Sequence, residues 1–414
     1  MKILVPDAQF ALDPDVERTA LPEAEFIIHR ARDPLQIPDS VWSSADGVLV
    51  WQDMPLDRVV ARKLTRCRIV VRHGVGFDKV DLEAFAERNI PVCNVPDYGI
   101  EEVANHAIAC ALSLRRGLPT YTEMLSLDPV AGWQWNVAPL VRRLTGQAFG
   151  IVGLGRIGQA AAARAKALGF DVGFYDPYLP VDEPAAQPYL RFADLGEMLA
   201  QSDIVSIHCP LTRETHGLFG ESTLARLKKG SILINTARGP IVDTDALLRG
   251  IEAGAIGGAA LDVLPQEPPD PDDKLVAAYR VPPSWLAGRL ILTPHAAFYS
   301  PESWYDLRYK AADTAGDWLK KGKLRNCVNR HLFPPGALPG SAELEQKHDG
   351  RRRFYEGGRH RRDGYARQEA GQGAAGAFRD HENRAVRRGR SRRYAQGFAH
   401  RGRRRRSLRS CDHR

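Results

Sequence analysis

Three polar residues in the second half of the chain could together move a proton and hold a carboxylate. They are Arg238 in NTARGPIVD, Glu267 in LDVLPQEPP and His295 in LTPHAAF, and each follows a strand-like run. A guanidinium can hold a carboxylate through charge-assisted hydrogen bonds, and an imidazole can exchange a proton near neutral pH. A carboxylate beside the imidazole fixes its tautomer and orientation. The three residues therefore predict removal of a hydroxyl proton from a small acid while a hydride leaves.

A glycine-rich segment upstream predicts where the hydride carrier binds. AFGIVGLGRIGQA places Gly153, Gly155 and Gly158 between a strand-like run and a helix-like one. In a dinucleotide fingerprint the first glycine makes a tight turn, the second lets the backbone approach the pyrophosphate, and the third lets helix and sheet pack closely. The amides of Arg156 and Ile157 would then face the phosphates at the positive end of the helix.

An acidic residue at the end of the next strand indicates which dinucleotide binds. Asp176 closes the run FYDP, and its carboxylate can accept hydrogen bonds from the adenosine ribose hydroxyls. A 2′-phosphate there would meet like charge, and the neighbours Pro177 and Tyr178 provide no basic group for it. The sequence therefore predicts NAD, with NADP less favoured.

The elements that must position these residues alternate between strands and helices. Val- and Ile-rich runs such as KILVPD, GVLVW, RIVVRHG and IPVCNV form one series, and runs from AFGIVGLG to RLILTPH form a second. Such alternation predicts βαβ units and parallel sheets. One continuous helical segment is expected from about Ile100 to Met124. The predicted fold class is α/β, with two doubly wound parallel-sheet domains and a cleft between them, and Arg238, Glu267 and His295 lie where ligands bind such sheets.

The helical segment PESWYDLRYKAADTAGDWLKKG follows His295 and would most simply return to the first sheet. The predicted domains are a discontinuous substrate domain over 1–100 plus 297–330, a dinucleotide-binding domain over 101–296, and an Arg-rich tail over 331–414.

Charge is distributed unevenly along the chain. Residues 341–414 contain 22 basic residues (Lys and Arg) and 9 acidic residues (Asp and Glu). Residues 1–340 contain 36 basic and 41 acidic residues. The earlier part is mildly acidic, so a nucleic-acid groove is not expected there. The tail is poor in large aliphatic residues and is predicted to be disordered. It could be a solvated segment without function, an arm that binds RNA or a membrane, or the product of out-of-frame translation.

The six cysteines lie far apart and predict buried free thiols, not a zinc site or a disulfide framework, and no metal is expected. The first residues lack the apolar core of a signal peptide, and no stretch is long and apolar enough to span a membrane. The expected location is therefore the cytoplasm.

These motifs together resemble a known family over roughly residues 1 to 330. The glycine fingerprint, arginine, glutamate and histidine stand in the order and contexts of the D-isomer-specific 2-hydroxyacid dehydrogenases. The segments RHGVGFDKVDLEA, CNVPDYGIEEVANHA and TPHAAFYSPES are most similar to the branch of C-terminal-binding proteins and their bacterial, phosphoglycerate-dehydrogenase-like relatives. The resemblance implies a flavodoxin-like substrate domain, a Rossmann NAD domain, and a homodimer formed through the NAD domain with the segment 120–146 as an arm.

The resemblance also implies a reaction. A hydride would pass between NAD(H) and C2 of a small D-2-hydroxyacid or 2-oxoacid, with His295 as acid and base, Glu267 as its partner and Arg238 on the substrate carboxylate. Further substrate-binding positions would be Arg72, Val75, Gly76 and Phe298. Further cofactor-binding positions would be Thr236, Ala237 and Asp262.

Alternatives of a different class stay open at this point. An NAD(H)-sensing dimeric interaction protein, as among the corepressor relatives, could bind the cofactor with little turnover, although it would not need an acid–base pair. A formate dehydrogenase resembles a variant with an amide at position 267, and the carboxylate of Glu267 argues against it. Which 2-hydroxyacid binds is not determined by these residues.

Overall fold

The computed structural model of the chain describes residues 1–180, 188–334 and 336–338. This part contains two parallel β-sheets covered by helices, which confirms the predicted fold class. Of the predicted tail, only 331–334 and 336–338 are described. They include the end of the 3₁₀ helix Arg330–Leu332 and the buried Leu338, and the predicted disorder concerns residues that lie outside the described part.

The first sheet has five strands in the order β2-β1-β3-β4-β5, and all neighbours run parallel. This is the flavodoxin-like order, whose switch point lies between β1 and β3. The strands are β1 (Lys2–Val5), β2 (Glu25–Ile28), β3 (Gly47–Val50), β4 (Val70–Arg72) and β5 (Val92–Asn94). The helices are α1 (Asp15–Ala20), α2 (Asp39–Ser44), α3 (Arg58–Lys63) and α4 (Leu82–Ala86). Strand β2 was missed by the sequence analysis because it is a four-residue edge strand without a buried residue.

The second sheet has seven parallel strands in the order β12-β11-β10-β9-β6-β7-β8, a Rossmann order with one added strand. The strands are β6 (Ala148–Val152), β7 (Asp171–Tyr175), β8 (Leu190–Arg191), β9 (Ile204–Ile207), β10 (Ser231–Asn235), β11 (Ile256–Leu261) and β12 (Leu290–Leu292). The helices from α5 onward are α5 (Ile100–Arg115), α6 (Leu118–Leu127), α7 (Arg156–Ala167), α8 (Leu195–Gln201), α9 (Glu221–Leu224), α10 (Thr244–Glu252), α11 (Lys274–Arg280) and α12 (Pro301–Lys321).

Both faces of each sheet are covered, so the central strands are buried throughout. Every residue of β3, β9, β10 and β11 is buried. A parallel strand buried on both faces is a nearly continuous apolar run. This is why the sequence showed these strands as Val- and Ile-rich segments.

The last long helix packs against the first sheet. Helix α12 contacts α1, β3 and β4, and its Arg308 forms a buried ion pair with Glu17 and a second pair with the exposed Asp15 of α1. The Arg308 guanidinium also lies 4.0 Å from the centre of the Phe10 ring. These contacts support the expected return of the chain, while the domain boundaries themselves stay a prediction.

The prediction of one continuous helix from about Ile100 to Met124 is wrong. The chain forms α5 and α6, which are separated at Gly117. Gly117 has φ +67°, in the left-handed region that favours glycine, and an added Cβ would lie 2.5 Å from Ala138 Cβ. Pro119 lies in the first turn of the second helix, which begins at Leu118, and its missing N–H costs nothing there. In the residues that the structure describes, no helix is long and apolar enough to cross a membrane.

Candidate active site

The structure brings together the three residues singled out by their chemistry. Arg238, Glu267 and His295 follow β10, β11 and β12, whose carboxyl ends lie at one edge of the second sheet. All three line a pocket that also contains residues from the loops of the first sheet. His295 Nδ1 lies 2.6 Å from Glu267 Oε2. Because an ionised carboxylate only accepts hydrogen bonds, this bond places a hydrogen on Nδ1.

Glu267 is held by a second contact. Its Oε1 accepts the Leu264 N–H at 3.0 Å, so each carboxylate oxygen has one partner. Burial raises the pKa of the Glu267 carboxyl, but the hydrogen bond and charge of His295 outweigh this and leave the pKa below its ordinary value. About one third of the side chain is exposed. The carboxylate is therefore charged at neutral pH and oriented toward the imidazole.

The loop that carries His295 is anchored by Asp262 at the end of β11. The two carboxylate oxygens of Asp262 accept hydrogen bonds from Thr293 Oγ1, Ala296 N and Ala297 N, at 2.6, 2.9 and 2.9 Å. The His295 N–H in turn donates to the Asp262 carbonyl at 2.7 Å. His295 itself has φ +53°, an uncommon conformation for a residue with a side chain. Asp262 lines the cavity described below, and its carboxylate has one lone-pair site left for the expected contact with the cofactor.

Arg238 reaches across to the loop after β4. Its Nε donates to Asp78 Oδ1 at 2.9 Å, and its Nη1 donates to the Ala237 carbonyl at 2.7 Å. Burial raises the pKa of the Asp78 carboxyl, but the charge of Arg238 dominates and keeps the pKa below its ordinary value. The amide side chain of Asn235 closes the turn by bonding Arg238 O and Ala237 N. The sequence analysis missed Asp78, although it lies in the quoted motif RHGVGFDKVDLEA.

The loop after β4, which is expected to bind the substrate carboxylate, faces Arg238. Arg72 is buried at the end of β4, and burial together with the charge of Arg238 lowers the pKa of its guanidinium to about 10. Val75 and Gly76 follow it, and a Cβ on Gly76 would lie 1.7 Å from Arg238 Nη2. The Asn94 amide donates to the Val75 carbonyl at 2.7 Å and fixes the loop from β5. The guanidinium groups of Arg72 and Arg238 thus lie beside the same cavity.

A larger cavity of about 460 Å³ joins this site to the glycine-rich loop. Volumes of this order are typical of small-molecule sites. Its walls come from the ends of strands in both sheets, as expected for ligand sites at switch points. Predicted residues that line it are Arg72, Val75, Gly76, Gly155, Arg156, Ile157, Thr236, Ala237, Arg238, Asp262, His295 and Phe298.

An aromatic wall closes the cavity beside the histidine. The Phe298 ring meets His295 edge to face at 6.2 Å between centroids and Tyr98 at 5.9 Å. On the neighbouring wall, His73 stacks on Trp51 at 4.3 Å, and burial lowers the pKa of His73 to about 3. The sequence analysis did not identify Tyr98, Trp51 or His73 as part of the site. Each follows a strand of the first sheet, and the topology brings them to the cavity.

The glycine loop has the geometry that its spacing indicated. Gly153 has φ +90°, and an added Cβ would lie 2.8 Å from the backbone of Cys209. A Cβ on Gly158 would lie 2.1 Å from the Gly153 carbonyl oxygen, so only glycine allows α7 to approach β6 so closely. At Gly155 an added Cβ would meet nothing within 4 Å. This open backbone stands at the amino end of the twelve-residue helix α7, where an anion is favoured.

Asp176 lies beside this loop at the end of β7. Its Oδ2 accepts the Leu154 N–H at 2.9 Å and its Oδ1 accepts the Tyr178 N–H at 3.0 Å. Each oxygen keeps a lone pair for a further donor. Arg191 on β8 also approaches this segment, and its guanidinium donates to the Asp176 carbonyl at 3.2 Å and to the carbonyls of Leu179 and Pro180. This arginine was missed because only the pairing of β7 with β8 brings it near.

Thr236 and Ala237 line the cavity immediately before Arg238. The Thr236 hydroxyl is buried and has no hydrogen-bond partner in the protein. Buried polar groups are nearly always paired, so this hydroxyl is available to a polar group of a bound cofactor. Within the described residues, no cluster of His, Cys, Asp or Glu is arranged to hold a metal ion.

Comparisons with known proteins show the family of the chain. Residues 108–297 match the family model described as D-isomer specific 2-hydroxyacid dehydrogenase, NAD binding domain. The chain is 33% identical over 330 residues to a glyoxylate reductase of Korarchaeum cryptofilum, covering 77% of this chain and 90% of the relative. The chain belongs to the D-isomer specific 2-hydroxyacid dehydrogenase family.

Other similar proteins differ from one another in length and in the cofactor named with them. A D-3-phosphoglycerate dehydrogenase of Archaeoglobus fulgidus is 34% identical over 291 residues, covering 70% of this chain and 52% of the relative. The chain thus spans about half the length of that enzyme. Among solved structures, an NADPH-dependent glyoxylate/hydroxypyruvate reductase of Sinorhizobium meliloti in complex with NADP and malonate superposes with a TM-score of 0.70 at 28% identity. That match covers 80% of this chain and 98% of the reductase. The two parallel-sheet domains and a nicotinamide-dinucleotide site are therefore family features.

Proposed function

We propose that the chain is an NAD-dependent oxidoreductase that transfers a hydride between the cofactor and C2 of a small D-2-hydroxyacid or 2-oxoacid. The observation that carries the proposal is the His295–Glu267 bond of 2.6 Å in a pocket shared with Arg238. A structural ion pair would not need an arginine and an open cavity beside it. When bound, a nicotinamide supplies or accepts the hydride.

The residues of this chain divide the remaining tasks. Glu267 keeps a hydrogen on His295 Nδ1, so Nε2 exchanges the proton with the substrate oxygen. In reduction the imidazolium donates this proton, and in oxidation the neutral ring accepts it. Arg238 holds the substrate carboxylate, with the backbone amides of Val75 and Gly76 on its other side.

The cofactor preference is proposed to be NAD. The lone pairs that remain on the Asp176 carboxylate suit ribose hydroxyls, whereas its charge opposes a 2′-phosphate. Arg191 is the nearby basic group, but its guanidinium already donates to three backbone carbonyls. A family relative uses NADPH, so this preference depends on Asp176 and not on the family.

A homodimer formed through the dinucleotide-binding half is also proposed. The segment 120–146 exposes several large apolar side chains, which isolated monomers rarely display together. Leu127, Val130, Trp133 and Trp135 are between 80% and 87% exposed. Light scattering on the purified chain would give twice the mass of 45.9 kDa if the proposal is right.

A substrate panel tests the reaction. Glyoxylate, hydroxypyruvate, phosphohydroxypyruvate and larger 2-oxoacids would be offered with NADH and with NADPH, and cofactor oxidation would be followed by absorbance. We expect turnover of at least one 2-oxoacid with NADH. His295→Ala should retain NADH binding, measured by fluorescence, and lose at least a hundredfold in turnover. Tight NADH binding without turnover of any 2-oxoacid would favour the NAD(H)-sensing alternative.

A further inference from the structure

Two cysteines that are distant in sequence meet at the edge of the first sheet. Cys93 is the middle residue of β5, and Cys327 lies in the segment that follows α12. The two residues form an antiparallel bridge. Buried free thiols were predicted from the sequence. All five described cysteines are free, but Cys327 and Cys209 are partly exposed, so the predicted burial is wrong for these two.

The backbone pairing defines how close the two cysteines are. The Val328 N–H donates to the Val92 carbonyl at 2.8 Å, and the Asn94 N–H donates to the Asn326 carbonyl at 3.2 Å. Cys93 and Cys327 are therefore the non-hydrogen-bonded pair between these two bonds, in which the Cα atoms lie about 4.5 Å apart and the side chains project to one face. Disulfides join Cα atoms about 4.4 to 6.8 Å apart.

The bridge is held in place by a buried amide. Asn329 has no exposed surface, and its Oδ1 accepts the Val92 N–H at 2.8 Å. Its Nδ2 donates to the Ile90 and Leu82 carbonyls at 3.2 and 3.4 Å. Together with the bond from the Asn94 N–H to the Asn326 carbonyl, they fix the returning segment on both sides of Cys327. The two side chains lie on one face of the bridge, where the Cys327 thiol donates to Asn329 Oδ1 at 3.3 Å, and the backbone spacing suits a disulfide.

We infer that Cys93 and Cys327 are a reversible disulfide site, oxidised by hydroperoxides, that fastens the returning C-terminal segment to the first sheet. Cys327 is the attacking thiol because it is partly exposed, whereas Cys93 is fully buried. A hydrogen bond from Cys93 lowers the pKa of Cys327, while the same bond and burial raise the pKa of Cys93. Accessible thiolates are the cysteines that react.

The chemistry balances in two steps. The Cys327 thiolate attacks one oxygen of hydrogen peroxide, so an S–O bond forms, the O–O bond breaks, and the hydroxide released becomes water. The Cys93 sulfur then attacks the Cys327 sulfenic acid, so the S–S bond forms and a second water leaves with the Cys93 proton. Two thiols and one peroxide give one disulfide and two waters.

The other cysteines provide internal controls. Burial raises the pKa of Cys67 to about 12 and those of Cys110 and Cys209 to about 11. None of them should react at neutral pH. Cys411 lies outside the described residues, so the experiments use the full chain with Cys411→Ser.

Thiol counting tests the site independently of the proposed enzymatic reaction. After treatment with hydrogen peroxide and unfolding in denaturant, the number of thiols per chain should fall from five to three and return to five with dithiothreitol. Cys327→Ser should keep its four thiols throughout. Cys110→Ser, the matched control, should still lose two. Five thiols remaining after oxidation, or a loss that dithiothreitol does not reverse, would overturn the inference.

Peptide mapping identifies the linked residues. Trypsin would release the peptide 89–115, which contains Cys93, and the peptide 326–330, which contains Cys327. The two peptides should be joined by a disulfide and should separate on reduction. Because 89–115 contains both Cys93 and Cys110, a second cleavage at Glu101 or Glu102 is needed between them. A cross-link that remains with the Cys93 fragment supports the inference. A link through Cys110 would refute it.

Discussion

The Glu267→Gln substitution tests the proposed acid–base pair because it removes one charge at nearly constant size. Glu267 uses both oxygens, one for His295 Nδ1 at 2.6 Å and one for the Leu264 N–H at 3.0 Å. Glutamine has a single acceptor oxygen. It can satisfy the imidazole or the backbone amide, but not both.

The magnitude follows from these two bonds. Replacing a hydrogen bond to a charged group with a neutral one costs about 1 to 2 kcal/mol, and a backbone N–H left unpaired costs about 1 to 3 kcal/mol. One third of the Glu267 side chain is exposed, so solvent reduces the electrostatic part. We expect a loss of about 2 to 4 kcal/mol in transition-state stabilisation, or roughly 30- to 1000-fold in kcat/KM.

The proposed pair serves both directions of the reaction. In 2-oxoacid reduction the imidazolium is the required form, and the neighbouring carboxylate stabilises it. Without that charge kcat/KM should fall by the same factor in both directions at a given pH, because the equilibrium constant fixes the ratio of the two when cofactor affinities are unchanged. Steady-state rates in both directions between pH 6 and 9 would measure this.

The control is Glu252→Gln, an exposed glutamate at the end of α10. This substitution should leave kcat/KM unchanged in both directions of the reaction. NADH affinity should be the same in both variants and in the parent chain. If kcat/KM of Glu267→Gln stays within threefold of the parent, the role given to Glu267 is refuted.

Three further predictions concern the cofactor loop and a buried acid. Asp176→Ala should lower the preference for NADH over NADPH, measured as the ratio of kcat/KM values, by about tenfold or more, because it removes both the ribose acceptor and the charge that repels a phosphate; an unchanged ratio would contradict the assignment. Gly158→Ala should abolish NADH binding in titrations, since its Cβ would lie 2.1 Å from the Gly153 carbonyl oxygen; retained affinity in a folded variant would count against this geometry. Burial raises the pKa of Asp7 to about 6 from 3.8, so the stability that this group provides is complete below pH 3.8 and is lost as the pH rises through 6, by about 3 kcal/mol. Denaturant unfolding of Asp7→Asn should lack this decline, and a decline equal to that of the parent chain would disprove it.

Much of the fold could be predicted because its strands are buried on both faces. Strands β10 and β11 appear in the sequence as apolar runs followed by polar residues, and this pattern places Arg238 and Glu267 at one edge of a parallel sheet. Short edge strands such as β2 bury little and give no such pattern. The break at Gly117 was missed because glycine is tolerated inside helices, and only the contact with Ala138 shows that it is required.

The sequence by itself determined the chemistry of the site, because residue type and order along successive βα units decide which groups reach the ends of neighbouring strands. It therefore singled out Arg238, Glu267 and His295 as candidates before any distance was known. Only the tertiary structure decided which groups meet from different parts of the chain. Asp78 pairs with Arg238, and Cys93 pairs with Cys327, through the packing of one sheet against loops and segments far away in sequence. Such contacts depend on the order of the strands and the path of the returning chain, and no local pattern of residues encodes either one.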